Sequence, residues 1–523
     1  MDGPDFDRYF KFIEFNFNVS KKLSSEQGFV YYDLHSIYFF LKDYPLSEAN
    51  FFIYIHKNIQ EVNFILLLIG FAGFYKLLKF LNYDSNTIFF TLLIVSIFPI
   101  TISQILVLKP EIYSFSVFPW IIYSMELFKK SGKLKYIFFA VPLTVGAIST
   151  KGSIFAMLIL CLLLFYGKDL FVYLPKKDPK SFIIVTLFFL ILLFSIFIEN
   201  NEFNDRSLFD LASGEYYEEK YNNKAPLSIF YKLDISELIY YPYKHNHSSS
   251  AFSILLLDTF GDYFDLYWNN DASQFFKNRK ELLIVEQSSA YKFPEINLEK
   301  GVIKIFSEDI FEIYPRRLLG LLFSAVIYFQ LLKQIFNKKR NKKFLFLPFL
   351  GILILGVHVT TGIPSNNFDI NTGDTLKPLY FSFFLITSFI FVLANLIDKK
   401  RLRKFFVILI IPFLIYLYGF PKNYDDDNFI YLYKLNSYTE LCNINSYLLN
   451  FELSNLDFEC DKNSQPEMSE FKRYPEYKHF LKLPIIKKVN ITITLLSLIS
   501  ILCLMFPNLR IKHFFAFGRN KKY

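Results

Sequence analysis

Apolar residues fall in long unbroken blocks separated by polar connections. IFFTLLIVSIFPITISQILVL (88–108) and SFIIVTLFFLILLFSIFI (181–198) carry no charge over about the length needed to cross roughly 30 Å of hydrocarbon. Blocks of this kind predict eleven spans, near 62–81, 87–107, 112–128, 135–150, 152–167, 181–198, 318–336, 344–361, 378–397, 404–420 and 489–507. The fourth and fifth are short and could instead form one re-entrant hairpin, which leaves the parity unchanged. The expected fold is therefore an all-α polytopic membrane protein.

The connections sort by charge. KKSGKLK (129–135), KDLFVYLPKKDPK (168–180), KQIFNKKRNKK (333–343), DKKRLRK (398–404) and the tail RIKHFFAFGRNKKY (510–523) are rich in Lys and Arg. The alternate connections LKPEIY (108–113), STKGS (149–153) and TTGIPSNNFDINTGDTLKP (360–378) carry one lysine each. The positive-inside rule puts the basic set in the cytoplasm, so the C-terminus is expected inside and the first residues outside. The chain then divides into a first external loop with interfacial amphipathic helices (1–61), spans one to six (62–198), a large external loop (199–317), spans seven to ten (318–420), a second external loop (421–488), and a last span with a basic cytoplasmic tail (489–523).

An external start needs a crossing before residue 62. QGFVYYDLHSIYFFLK (27–42) contains Asp33 and His35, and its aromatic, amphipathic character fits an interfacial helix better than a span. The expectation is that a first helix precedes Met1 and that MDGPDFDRYF opens the first external loop.

Composition changes this picture little. The 523 residues are 53% hydrophobic, and a net charge of +9 would suggest nucleic acid if it sat on one folded face. Here it is spread over the basic connections, so topology explains it and no nucleic acid is expected. Of four cysteines, Cys161 and Cys503 lie in apolar blocks as packing residues. Cys442 and Cys460 share one polar loop and could bridge if that loop faces an oxidising compartment. No glycine-rich phosphate loop is present, which argues against a nucleotide-driven pump. The cytoplasmic connections are too short for a nucleotide-sugar domain, so catalysis is expected outside.

Candidate chemistry gathers at the external mouths, where charge near hydrocarbon leans functional. Asp5 and Asp7 stand in the N-terminal stretch, Lys109 and Glu111 flank Pro110, Lys151 stands in STKGS, and Asp258, Asp262 and Asp265 punctuate LLLDTFGDYFDLYW. Arg316 and Arg317 precede a span, and so does Lys377. Plain structural roles compete. Asp5 and Asp7 could be a solvated end, Glu111 could pair with Lys109 or cap its helix, and Lys151 could snorkel. Arg316, Arg317 and Lys377 could anchor lipid headgroups, and the 258–265 aspartates could cap a helix or fix a loop. His245 and His247 have no acid or cysteine cluster beside them and read as structural.

PDFDRY (4–9), LKPEIYSF (108–115), LLLDTFGDYFDLYW (255–268) and GDTLKPLYF (373–381) occur in the same span order as motifs of the GT-C superfamily of membrane glycosyltransferases, which the chain resembles. That superfamily includes protein O-mannosyltransferases and lipid A aminoarabinose transferases. The first motif is similar to the acid-then-tyrosine start of the family's first external loop. The second is similar to the basic-acidic pair opening a later span, the third to a D-T-x-G-D-Y stretch of bacterial members, and the fourth to a K/R-x-x-Y opening of a late span. The resemblance implies a GT-C-like helical bundle in the bacterial inner membrane, taking sugar from a polyprenyl-phosphate carrier on the non-cytoplasmic face. Asp5 then takes the place of the catalytic acid, with Asp7 an open alternative because Phe6 separates them, and Glu111 is the second acid. Lys377, Lys151, Arg316 and Arg317 are expected to hold the phosphate, with Lys377 first. Asp258, Asp262 and Tyr263 belong to the loop expected to recognise the acceptor, which could be lipid, polysaccharide or protein. No metal and no cofactor beyond the donor are expected. An O-antigen polymerase or ligase and a lipid-linked oligosaccharide transporter are the alternatives.

Overall fold

The computed structural model describes residues 30–42, 51–106, 108–204, 227–240, 250–260, 302–337, 341–360, 378–398 and 485–507. Among these residues every regular element is helical and no strand occurs. Five helices are long and apolar enough to cross a membrane, or six if a bent pair is one span.

In chain order the helices are α1 (Val30–Lys42), α2 (Phe51–Phe80), α3 (Ser85–Ser96), α4 (Pro99–Leu106), α5 (Glu111–Ser131), α6 (Lys135–Ile148) and α7 (Gly152–Lys168). A π turn (Asp169–Tyr173) and short α8 (Leu174–Lys177) lead to α9 (Pro179–Asn204). The 3-10 turn Leu227–Phe230, α10 (Ile235–Tyr240) and α11 (Ala251–Thr259) follow. Then come α12 (Val302–Phe336), α13 (Lys342–Leu345), α14 (Leu347–Thr360), the 3-10 turn Pro378–Phe381, α15 (Ser382–Ile397) and α16 (Ile485–Met505). The expected span 404–420 lies outside the described residues.

Helix limits follow local chemistry. Asp84 caps α3 by accepting from the Thr87 N–H at 2.8 Å. α5 stops at Gly132, whose φ of 65° suits a residue without Cβ. The expected span 87–107 is not straight: α3 and α4 meet at 69° across Ile97 and Phe98. Pro99 opens α4, and a proline there has no N–H for the ladder and clashes with the carbonyl four residues back. The break in the bundle therefore falls in the second expected span, whereas the fourth and fifth form separate helices, α6 and α7.

α5 and α15 form the centre. Nearly every α5 residue from Glu111 to Met125 is buried. The span Pro378–Ile397 is 83% buried, against 22% for Pro179–Ile196 of α9. α9 instead exposes Ile183, Ile184, Leu187, Leu190, Ile191 and Phe194, a surface suited to hydrocarbon. α2 packs closely on α5 because Gly70 and Gly73 leave room for Phe115, Pro119 and Trp120. Trp120 Nε1 also donates to Ile69 O at 2.9 Å. A Cβ on Gly73 would lie 2.8 Å from both the Pro119 ring and Trp120 Nε1. Gly73→Ala is therefore expected to lower stability by about 1–3 kcal/mol through overpacking, read as a lower melting temperature in detergent.

α5, α6 and α7 run up and down, so charged positions collect at two opposite ends. One end carries Lys109–Glu111, Thr150–Lys151 and Tyr380, joined by an ion pair and a ring contact; it is called the mouth below. The other end carries Glu126, Lys129, Asp169 and Lys343. There Glu126 accepts from Tyr166 Oη at 2.8 Å and pairs with Lys343, tying α5, α7 and α13 together. Tyr83 donates to Asn395 at 2.7 Å, and Asn395 donates to Gln334 at 2.9 Å, which ties α12 and α15 to the turn before α3.

Candidate functional site at the mouth

Glu111 opens α5 in its first turn, where the helix dipole favours a carboxylate. Lys151 occupies the position just before α7 with extended backbone. The antiparallel course α5–α6–α7 returns the chain to the level at which it left, so residues 40 apart meet. Lys151 Nζ donates to Glu111 Oε1 at 3.0 Å. The Glu111 side chain is 0% exposed and that of Lys151 19%. Glu111 Oε2 is buried with no hydrogen-bond partner.

Tyr380 forms the other wall. Its ring lies 3.4 Å from Lys151 Nζ and 5.9 Å from Lys109 Nζ, both measured to the ring centroid. Two cations thus lie within reach of one aromatic ring, whose π cloud stabilises positive charge. Tyr380 is the tyrosine of the Lys377–Tyr380 motif, and it follows Pro378, which starts the 3-10 turn. Ser114 and Thr150 close the floor with their hydroxyls 3.2 Å apart.

α1 covers this site from one side. Tyr31 Oη donates to Asn63 Oδ1 at 2.9 Å, and Asn63 Nδ2 donates to Ile105 O at 3.2 Å. Tyr38 hydrogen-bonds to Glu61, and Lys42 pairs with Glu61 at 3.1 Å. These bonds from three turns of α1 all land within residues 61–63 of α2, so α1 crosses α2 rather than running along it. Burial pushes the Tyr31 hydroxyl well above its ordinary range; the Asn63 bond opposes this, the Glu111 charge adds to it, and the Lys109 backbone N–H opposes it. Those neighbours set Tyr31 beside the Lys109–Glu111 corner. Burial also pushes His35 down to about 3, against a weaker opposing effect of Asn63.

The sequence-derived residues divide three ways. Glu111 and Lys151 are brought into contact, and the partner given to Glu111 is Lys151, across the fold. Lys151 does not snorkel outward; it is pinned between a carboxylate and a ring. Asp258 is buried in the last turn of α11 beside Tyr328 of α12. It does not cap that helix: Ser250 does, accepting from the Ser253 N–H at 3.2 Å. α11 also packs on α4 and on the 378–381 turn. Arg316 and Arg317 lie on α12, just before the span Leu318–Phe336. Asp5, Asp7, Asp262, Asp265, Tyr263, Lys377, Cys442 and Cys460 lie outside the described residues.

Tyr31, Asn63 and the Tyr380 platform were not singled out by sequence reasoning. Only the polar interruption of the aromatic 27–42 run hinted at α1. Among the described residues no group of three or more His, Cys, Asp or Glu could hold a metal. No family model matches the chain, and neither a curated protein nor a solved structure matches it.

Proposed function

We propose that the protein is a membrane glycosyltransferase that moves a sugar from a polyprenyl-phosphate carrier to an acceptor hydroxyl on the non-cytoplasmic face of the bacterial inner membrane. One observation carries this reading. A fully buried carboxylate, Glu111, is held on Lys151 over the Tyr380 ring at one end of an apolar helical bundle, with its second oxygen unengaged. A buried carboxylate oxygen without a partner costs free energy that a purely structural pair has no need to carry. A carboxylate kept half-satisfied beside cations suits a reaction in which cationic charge develops on a sugar and anionic charge develops on a phosphate.

The step balances as follows. The acceptor oxygen attacks the anomeric carbon, the bond from that carbon to the phosphate oxygen breaks, and polyprenyl phosphate leaves with the electron pair. The acceptor proton passes to a carboxylate, for which Asp5 or Asp7 is the candidate base. The transition state has oxocarbenium character, which Glu111 Oε2 is suited to stabilise. Lys151, Lys377, Arg316 and Arg317 are the candidate cations for the leaving phosphate. An ammonium has three donors, and Lys151 commits one to Glu111. Asp258, Asp262 and Tyr263 belong to the acceptor side.

The test is turnover. Full-length protein purified in detergent, given polyprenyl-phosphate sugars with a hydroxyl acceptor, is expected to release polyprenyl phosphate. Glu111→Gln is expected to slow release by about a hundredfold. No release from the wild-type chain with any donor in the panel would sink the reading, and full activity in the Asp5→Asn/Asp7→Asn double variant would remove the base. A transporter is the second reading, favoured by the 69° break between α3 and α4 and by buried Thr101 and Gln104 just after it. It predicts movement of intact lipid-linked sugar across vesicles with no bond broken.

A further inference from the structure

At the end opposite the mouth, two connections meet. KKSGKLK (129–135) leads from α5 to α6, and KDLFVYLPKKDPK (168–180) leads from α7 to α9. Lys129 of the first pairs with Asp169 of the second at 3.7 Å. Lys177 Nζ lies over Gly132, 3.0 Å from where a Cβ would stand, so it occupies room that a larger residue would narrow. Lys133 adjoins Gly132 in sequence and Lys176 adjoins Lys177, so these three lysines belong to one small area.

The two connections together carry eight lysines, all exposed, and two aspartates. Both aspartates are already engaged. Asp169 holds Lys129, and Asp178 accepts from the Ser181 N–H at 3.0 Å and from the Ser181 hydroxyl at 2.6 Å. Among the described residues Lys133, Lys176 and Lys177 form no ion pair. The surface therefore keeps a surplus of positive charge.

The same surface is apolar at one place. The π turn Asp169–Tyr173 leaves Phe171, Val172 and Tyr173 exposed by 56%, 41% and 53%. Phe171 meets Phe182 of α9 edge-on at 6.2 Å, which keeps it beside the turn into α9. Three consecutive large apolar side chains in the open are disfavoured in water and favoured at an acyl boundary. Length puts them at that height. The candidate span Ser153–Lys177 starts beside the mouth and has 25 residues. At 1.5 Å per residue it measures about 37 Å, more than roughly 30 Å of hydrocarbon, so its far end reaches the headgroups. The next candidate span starts at Pro179, so the chain turns back at this level.

A small anion would satisfy the lysines and leave the apolar triplet in water. A neutral lipid would do the opposite. A phosphate that carries acyl chains answers both at once. We propose that this end of the protein binds an anionic phospholipid, with its phosphate on Lys133, Lys176 and Lys177 and its chains against Phe171 and Val172. The lipid then bridges the two connections and reinforces the Lys129–Asp169 pair. This site stands apart from the mouth and does not depend on the transferase reading.

Native mass spectrometry of the full chain, purified in a neutral detergent, tests it with phosphatidylglycerol and phosphatidylcholine of the same acyl chains. Phosphatidylglycerol is expected to bind the wild type at least tenfold more tightly. The triple variant Lys133→Gln/Lys176→Gln/Lys177→Gln is expected to lose that preference while melting as the wild type does, since all three side chains are exposed. Lys79→Gln/Lys333→Gln/Lys342→Gln removes the same charge from α2, α12 and α13 and is expected to keep the preference. Phe171→Asn is expected to weaken phosphatidylglycerol about threefold, because it takes one apolar contact from the chains. The proposal is overturned if phosphatidylcholine binds the wild type as tightly, if the first triple variant keeps the preference, or if the second loses it too. Displacement of the lipid by an equal concentration of glycerol phosphate, a head group without chains, would overturn it in favour of a soluble anion.

Discussion

Lys151→Met is expected to destabilise the bundle by about 3–5 kcal/mol, and Glu111→Gln placed in the same chain is expected to recover most of the loss. The ammonium is 3.0 Å from a carboxylate that is 0% exposed. Removing it leaves an anion buried with neither water nor a hydrogen bond, and it also takes the cation off the Tyr380 ring. The α5 N-terminus returns only part of this, because a helix dipole contributes about 0.3–1 kcal/mol to a carboxylate in its first turn. Neutralising Glu111 removes the uncompensated charge and leaves a group that needs only ordinary hydrogen bonds. Thermal unfolding in detergent of the wild type, both single variants and the double variant measures the coupling as a cycle. If the four melting temperatures are additive, Glu111 and Lys151 are not a pair.

The second large effect is on pH. His35 titrates near 6.5 in an unfolded chain and at about 3 in the folded one, because burial opposes its charged form. A base whose pKa is lowered by folding binds its proton only when released. Below pH 6.5 the released state takes up the proton, so stability falls as pH falls, until about pH 3, where the folded form protonates as well. The 3.5-unit difference between 6.5 and 3 corresponds to roughly 5 kcal/mol in total. Acidic side chains begin to titrate at the lower end, so the informative window is about pH 6.5 to 4.5, where roughly 2–3 kcal/mol should be lost. The ring lies against Tyr31 on its own helix and near Asn63 on α2, with Lys109 and Glu111 beyond Tyr31. None of these supplies a carboxylate in direct contact to hold an imidazolium. Melting temperatures across this window should fall steeply for the wild type and much less for His35→Gln. Parallel slopes would mean that His35 is solvated or paired.

Apolar length and charge distribution were legible in the chain because hydrocarbon thickness and lysine placement write directly into sequence. α9, α12, α15 and the apolar end of α2 fall where the uncharged blocks put them. Bends and extensions were less legible. A run such as 87–107 reads as one span by composition, yet Pro99 turns it, since hydropathy carries no information about the ladder. α12 begins at Val302, well before the span expected at 318, and runs through Pro315. At the site, Glu111 and Lys151 could be singled out as charges at a hydrophobic boundary. Their pairing could not, because it depends on two intervening turns that bring residue 151 back beside residue 111. The polar group under α1 was hidden for a different reason. His35, Asn63 and Gln104 stand singly in the sequence, and only the fold reveals that Tyr31 and Asn63 join α1 to α2 there.

Phe260, at the end of α11, lies 4.7 Å from Phe98 at the α3–α4 bend, 4.5 Å from Phe323 of α12 and 6.2 Å from Phe389 of α15, ring centre to ring centre. This knot fastens a segment that hydropathy would leave outside to the α3–α4 bend. Any rearrangement that straightened the kink would pull on α11, and any ligand that moved α11 would press on the kink. Phe260, Phe98, Phe323 and Phe389 therefore couple α11 to the bend, so a shift at 250–260 would be felt at α3 and α4 through four rings.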